Sequence, residues 1–120
     1  MYKVNLKEVA FRSAPCRMVA ELISERTVGA KGVTCRVVDI LPASQVGTRE
    51  PHVHDAMEEV IYVLEGRGEA WVNGDVIPIE PGDALLMPMG VPHMIINPTE
   101  QRLRLICFFP AAALGIPGVD

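Results

Sequence analysis

Residues 50–59 read Glu50-Pro51-His52-Val53-His54-Asp55-Ala56-Met57-Glu58-Glu59 and hold two of the chain's three histidines, with carboxylates close behind. In an extended strand, residues i and i+2 face the same side, so His52 and His54 can aim both rings at one centre. The dipeptide alone does not decide the matter, because His-x-His also occurs on exposed strand faces. Two further residues narrow the reading. Glu59 opens the apolar run Glu59-Val60-Ile61-Tyr62-Val63-Leu64, where an inward carboxylate is costly to bury unless a cation or hydrogen bonds compensate it. The third histidine, His93, lies between a turn dense in Pro and Gly and another apolar segment. No histidine is left over.

Outward from this stretch, ten glycines and ten prolines punctuate the chain, and the pieces between them are rich in Val, Ile and Leu without helical spacing. The pattern predicts an all-β chain with strands over 18–24, 33–41, 59–65 with the histidine segment before it, 69–73, 76–80, 84–88, 93–97 and 103–109. Eight short strands suggest a barrel or sandwich. Asn73-Gly74 predicts a tight hairpin, because both residues tolerate the positive φ of a type I′ turn. Glu80-Pro81-Gly82-Asp83 predicts a second turn, with Pro and Gly at its centre. Residues 1–15 fit either a strand or a loose arm. No linker, repeat or low-complexity run divides the 120 residues, so residues 1–120 are read as a single domain.

The formal charge of −4 and a pI near 5.3 argue against nucleic acid or an anionic membrane as partner, since both need clustered Lys and Arg. A small-molecule substrate is the expected partner. Cys16, Cys35 and Cys107 are odd in number and widely spaced, which fits neither a disulfide framework nor a Cys-x-x-Cys site. The N-terminal residues carry charge throughout, and the apolar tail over 106–117 is short and interrupted by proline. A cytoplasmic chain is expected.

Taken together, Gly47, His52, His54, Glu59 and Gly66 resemble the first motif of the cupins, with one residue fewer after Gly47; this motif spans residues 47–66. Gly82, Pro88, Gly90, His93 and Asn97 match the family's second motif, over residues 82–97, at every position. The resemblance implies a double-stranded β-helix barrel of jelly-roll type with a metal near one mouth. It assigns His52, His54, Glu59 and His93 as ligands of one divalent transition metal, with Mn, Fe, Co, Ni, Cu or Zn all suited to such donors. Glu59 is preferred to Glu58 because it keeps the family's interval to Gly66. Small cupins of this kind commonly form homodimers, and Ile106 and Phe108, opposite an inward Leu103-Leu105-Cys107-Phe109 row, offer apolar surface for it.

Cupin folds host dioxygenases, decarboxylases, isomerases, cyclases and plain binding or sensor domains, so the reaction must be argued from the site. Only Arg49 among basic residues lies close to the motifs in sequence, which argues against a sugar-phosphate substrate. Met57, Met87, Met89 and Met94 fall inside or beside the motifs and suit an apolar substrate if they line the cavity. The sequence reading is therefore a metal-dependent, dioxygenase-like oxidoreductase acting on a small, largely apolar organic substrate. Glu59 is its candidate base, Tyr62 and Cys107 are candidate catalytic hydrogen-bonding groups, and Arg36 is a further polar candidate. The alternatives are a non-oxidative decarboxylase, isomerase or cyclase, or a non-catalytic small-molecule binding domain.

Overall fold

Alternation of apolar and polar side chains becomes two antiparallel sheets facing each other. The computed structural model describes residues 2–54 and 56–115; Met1, Asp55 and residues 116–120, with the end of the apolar tail, lie outside the described residues. Its strands are β1 (Arg12–Ala14), β2 (Arg17–Ile23), β3 (Thr34–Ile40), β4 (Glu59–Glu65), β5 (Gly68–Val72), β6 (Asp75–Ile79), β7 (Ala84–Met87), β8 (His93–Ile96) and β9 (Leu103–Phe109). One sheet has the order β1-β2-β3-β9-β4-β7 and the other β6-β5-β8. This is the expected all-β jelly-roll barrel. The region 1–15 holds a 3-10 turn at Leu6–Glu8 and the short strand β1. Two four-residue helices, α1 (Glu25–Val28) and α2 (Ala43–Val46), were not expected.

The inward row expected on β9 is buried, with Leu103, Leu105, Cys107 and Phe109 facing Ile61, Val63, Val38 and Ile40 from the neighbouring strands. Ala70, Ile79 and Ile95 close the same cluster from the smaller sheet. Each such aliphatic side chain contributes about 1.5–3 kcal/mol when fully withdrawn from water. Both turns expected from sequence form. Asn73 and Gly74 both have positive φ, at 48° and 96°, and the Asp83 amide donates to the Glu80 carbonyl at 3.1 Å.

One expectation needs correction. The histidine segment is not a regular extension of β4, which begins only at Glu59. His52 instead forms an isolated antiparallel bridge with His93, each backbone amide donating to the other's carbonyl at 2.9 Å. The Gly90 amide adds a bond to the His54 carbonyl at 2.9 Å. Those bonds clasp the segment, so it keeps strand-like alternation without full pairing, and the two motifs are stapled together at their histidines.

Candidate metal centre

Three stretches of the chain meet at this clasp and bring four donors together. The bridge fixes His52 and His93 opposite each other, His54 follows on the same face, and Glu59 enters from the first residue of β4. One ligand atom from each of His52, His54, Glu59 and His93 lies within 4.8 Å of the others. Glu59 is only 6% exposed and His93 1%, whereas Glu58 points outward into solvent. The strand period places Glu59, rather than its neighbour, among the histidines.

The hydrogen bonds indicate what the cluster lacks. Nδ1 of His93 donates to the Val91 carbonyl at 3.0 Å, which leaves Nε2 of the neutral ring with a lone pair and no proton. That Nε2 faces Oε1 of Glu59 at 3.3 Å, and Nε2 of His54 lies 3.4 Å from the same oxygen. Nδ1 of His52 is the one buried side-chain nitrogen or oxygen among the described residues with no hydrogen-bond partner. Acceptors crowded together and left unpartnered are costly in a buried site unless a cation joins them. Three imidazoles and one carboxylate are a donor set that suits a divalent transition metal, and the His93 bond to Val91 is the outer contact that fixes a ligating ring. These residues fit a metal ion.

Electrostatics support the same reading. Burial, helped by Arg49 and His93, pushes His52 down to about 3, so its ring is neutral and able to ligate at neutral pH. Burial works to raise the Glu59 carboxyl, but when protons rather than a metal sit between the rings and the carboxylate, hydrogen bonds and charge from His54 and His93 outweigh it and hold the group near 2. Cys107 is fully enclosed. Burial and the adjacent Glu59 carboxylate push its thiol well up, so it stays protonated beside the ligand oxygen.

A cavity of about 170 Å³ opens onto the four donors. Its apolar wall includes Val19, Val38, Ile40, Ile61, Ile95, Leu105 and Phe109, with Leu114 of the C-terminal segment at the rim. The Phe109 ring packs edge-on to His54 at 5.5 Å, and the Arg36 guanidinium lies 5.6 Å over the same ring. Arg36 also donates to Oε1 of Glu21 at 3.0 Å and to the Leu114 carbonyl at 2.9 Å, which ties the C-terminal segment across the cavity.

Several sequence expectations are resolved by placement. Cys107 does line the cavity. Tyr62 does not, because it sits on the outer face of β4 at 40% exposure, one residue out of phase with Ile61 and Val63; its assignment as a catalytic hydrogen-bonding group is corrected. None of the four motif methionines lines the cavity: Met87 is core, Met57 packs against it, and Met89 is exposed. The expectation of a single nearby arginine is also corrected, since Arg17 from β2 and Arg36 from β3 join Arg49 in the cavity wall. Sequence proximity could not show this, as both arrive from strands remote from the motifs. Thr34, Arg36, Val38 and Ile40 share one phase of β3, but Cys35 and Val37 make the other phase apolar too, so phase alone does not mark Arg36 as inward.

Comparisons with known proteins agree with this architecture. The chain is 25% identical over 103 residues to the polyketide synthase CurC of Streptomyces cyaneus, covering 86% of this chain and 65% of CurC, so it spans just under two thirds of that relative. The polyketide cyclase RemF of Streptomyces resistomycificus superposes with a TM-score of 0.79 at 24% identity, covering 98% of this chain and 89% of RemF. Oxalate decarboxylase of Lactobacillus farciminis superposes with a TM-score of 0.77 at 20% identity, covering 92% of this chain and 33% of that one. Residues 37–109 match the cupin domain, and with both cupin motifs gathered at one His/Glu cluster inside a jelly-roll barrel, the chain belongs to the cupin family.

Proposed function

We propose that this chain is a metal-dependent enzyme that carries out non-oxidative chemistry on a small organic substrate bound in the 170 Å³ cavity. The observation that carries this reading is the convergence of a His/Glu donor set and three guanidiniums on one small, apolar-walled space. Such a site is built to stabilise negative charge on oxygen, which is what enolate, decarboxylation and cyclisation chemistry demands. A divalent cation held by His52, His54, Glu59 and His93 would supply Lewis-acid polarisation of a bound oxygen group. The protein's own residues do the rest. The apolar wall excludes water and shapes the substrate, the arginines orient its oxygens, and Cys107 holds a proton against Glu59 so that this carboxylate stays in place.

The names of the similar proteins support this direction, since a polyketide cyclase and an oxalate decarboxylase are among them. The dioxygen-using reaction expected from sequence is the second reading, and the four-donor set is equally able to serve it. A panel of small oxo acids, diketones, catechols, flavonols and thiols, incubated with manganese-, iron- and zinc-loaded protein in air and under nitrogen, separates the two. Product formed under nitrogen without oxygen uptake is the expected result. Oxygen consumption above the metal-free control, with no anaerobic product, moves the chain to the oxidative class.

A further inference from the structure

The walls of the cavity hold guanidinium groups as well as the metal donors. Arg17, Arg36 and Arg49 all line it. Arg36 is matched by Glu21 at 3.0 Å, and Arg17 donates to the Pro15 carbonyl at 2.9 Å. Arg49 has no hydrogen bond or ion pair within the described residues and feels the Glu59 carboxylate only at longer range. Burial, together with repulsion from Arg49 and Arg36, lowers Arg17 to about 10, so the three guanidiniums act on one another. Arg36 is thus matched by Glu21, and Glu59 belongs to the metal donors, which leaves the Arg49 guanidinium beside that centre without a paired carboxylate among the described residues.

A partly buried guanidinium with no paired anion is costly unless an anion arrives to offset it. Guanidinium forks match carboxylate geometry, and a fork left without a protein partner beside a metal centre is shaped for a ligand oxygen pair. Size limits the ligand further, because a cavity of about 150 Å³ holds a benzene-sized molecule. A space of about 170 Å³ therefore takes roughly six to eight non-hydrogen atoms, too few for a sugar phosphate. The apolar wall asks for a short hydrocarbon body.

Resting on the metal-dependent reading above, we propose that Arg49 is a specificity-determining residue that binds the carboxylate of a small oxo acid, whose second oxygen group faces the His/Glu centre. The substrate is thus an anion with a short apolar body, rather than the largely apolar molecule expected from sequence. Residue position makes Arg49 suited to this role, three residues before His52 on the same clasped segment, so that one stretch of chain sets both the ligand ring and the carboxylate fork.

Isothermal titration of 2-oxobutanoate, its uncharged counterpart 2-butanone, and inorganic phosphate into wild-type, Arg49→Gln and Arg49→Lys proteins tests this, with metal content measured on every sample. Each titration is run on metal-loaded and on metal-free protein. Wild type is expected to bind 2-oxobutanoate more tightly than 2-butanone, and Arg49→Gln to lose about ten- to a hundredfold of that affinity at unchanged metal content, with Arg49→Lys between the two. An Arg49-dependent preference for the anion in metal-free protein supports the inference even if the wild type takes up no metal, an outcome that would sink only the metal-dependent reading. Equal binding of 2-oxobutanoate by wild type and Arg49→Gln, tighter Arg49-dependent binding of phosphate, or no binding of the oxo acid to wild type overturns it.

Discussion

Glu59 owes its place among the histidines to strand phase, and this makes the neighbouring pair of carboxylates an internal control. Glu59→Gln is expected to weaken metal binding by more than the roughly 10–100-fold typical of an outer contact, while Glu58→Gln retains it; competition titration with a chelating dye reads the difference, and the reverse pattern would reassign the ligand. A second residue governs acid stability. The Glu21 carboxyl sits below its ordinary value because hydrogen bonds from Ser24 and Arg36 outweigh the opposing effect of burial. A carboxyl depressed by folding stabilises the protein fully above its unfolded value of about 4.3 and loses that contribution as pH falls through the folded value. Melting temperature is therefore expected to drop more steeply from about pH 5 to pH 3 in the wild type than in Glu21→Gln. Parallel curves would show that the Glu21 contacts do not stabilise the fold.

Among the elements, the turn from β4 to β5 has the least freedom. Gly66 has φ +85°, and a Cβ there would sit 1.9 Å from the Arg102 carbonyl oxygen, so Gly66→Ala carries about 1–3 kcal/mol from backbone conformation alone and more from displacing backbone. Asn97, which ends the second motif, is buried and donates from Nδ2 to the Ile40 and Gln101 carbonyls at 3.0 and 2.8 Å. Asn97→Ala is expected to cost about 1–3 kcal/mol for each carbonyl left unpartnered, visible as a lower urea midpoint; an unchanged midpoint contradicts that role. Most strands and both turns could be read in the sequence because alternation and turn chemistry are local, whereas the four donors, with His93 far along the chain from the others, are assigned by resemblance to the cupin motifs. The arginines could not be read in either way. In Thr34-Cys35-Arg36-Val37-Val38-Asp39-Ile40 both phases carry apolar residues, so the inward one is fixed only by pairing with β2 and β9. Tyr62 is a candidate for substrate in the sequence because its hydroxyl lies close to Glu59 along the chain, but strand alternation puts it on the face opposite Ile61 and Val63. The helices α1 and α2 are single turns, too short for a periodic signal.

At the scale of the molecule, the outer face of the larger sheet is apolar. Val60 lies beside Phe108 and Leu86, and Tyr62 beside Ile106, with Leu86 55% exposed. We propose that two copies of the chain pair through this face. Light scattering is expected to report twice the 13.1 kDa chain mass, and Leu86→Glu with Phe108→Glu to return a single chain mass without altering metal content; a wild-type monomer at micromolar concentration contradicts the pairing. No helix among the described residues is long and apolar enough to cross a membrane. The chemistry depends on the partly buried His/Glu cluster, whose crowded lone pairs ask for a cation. Elemental analysis of wild-type and His54→Ala protein, purified without a nickel column and checked for folding by circular dichroism, tests this most directly. About one divalent transition metal per wild-type chain is expected, with its loss from the folded variant; a metal-free wild type that takes up none on addition, or full occupancy in His54→Ala, contradicts the metal centre.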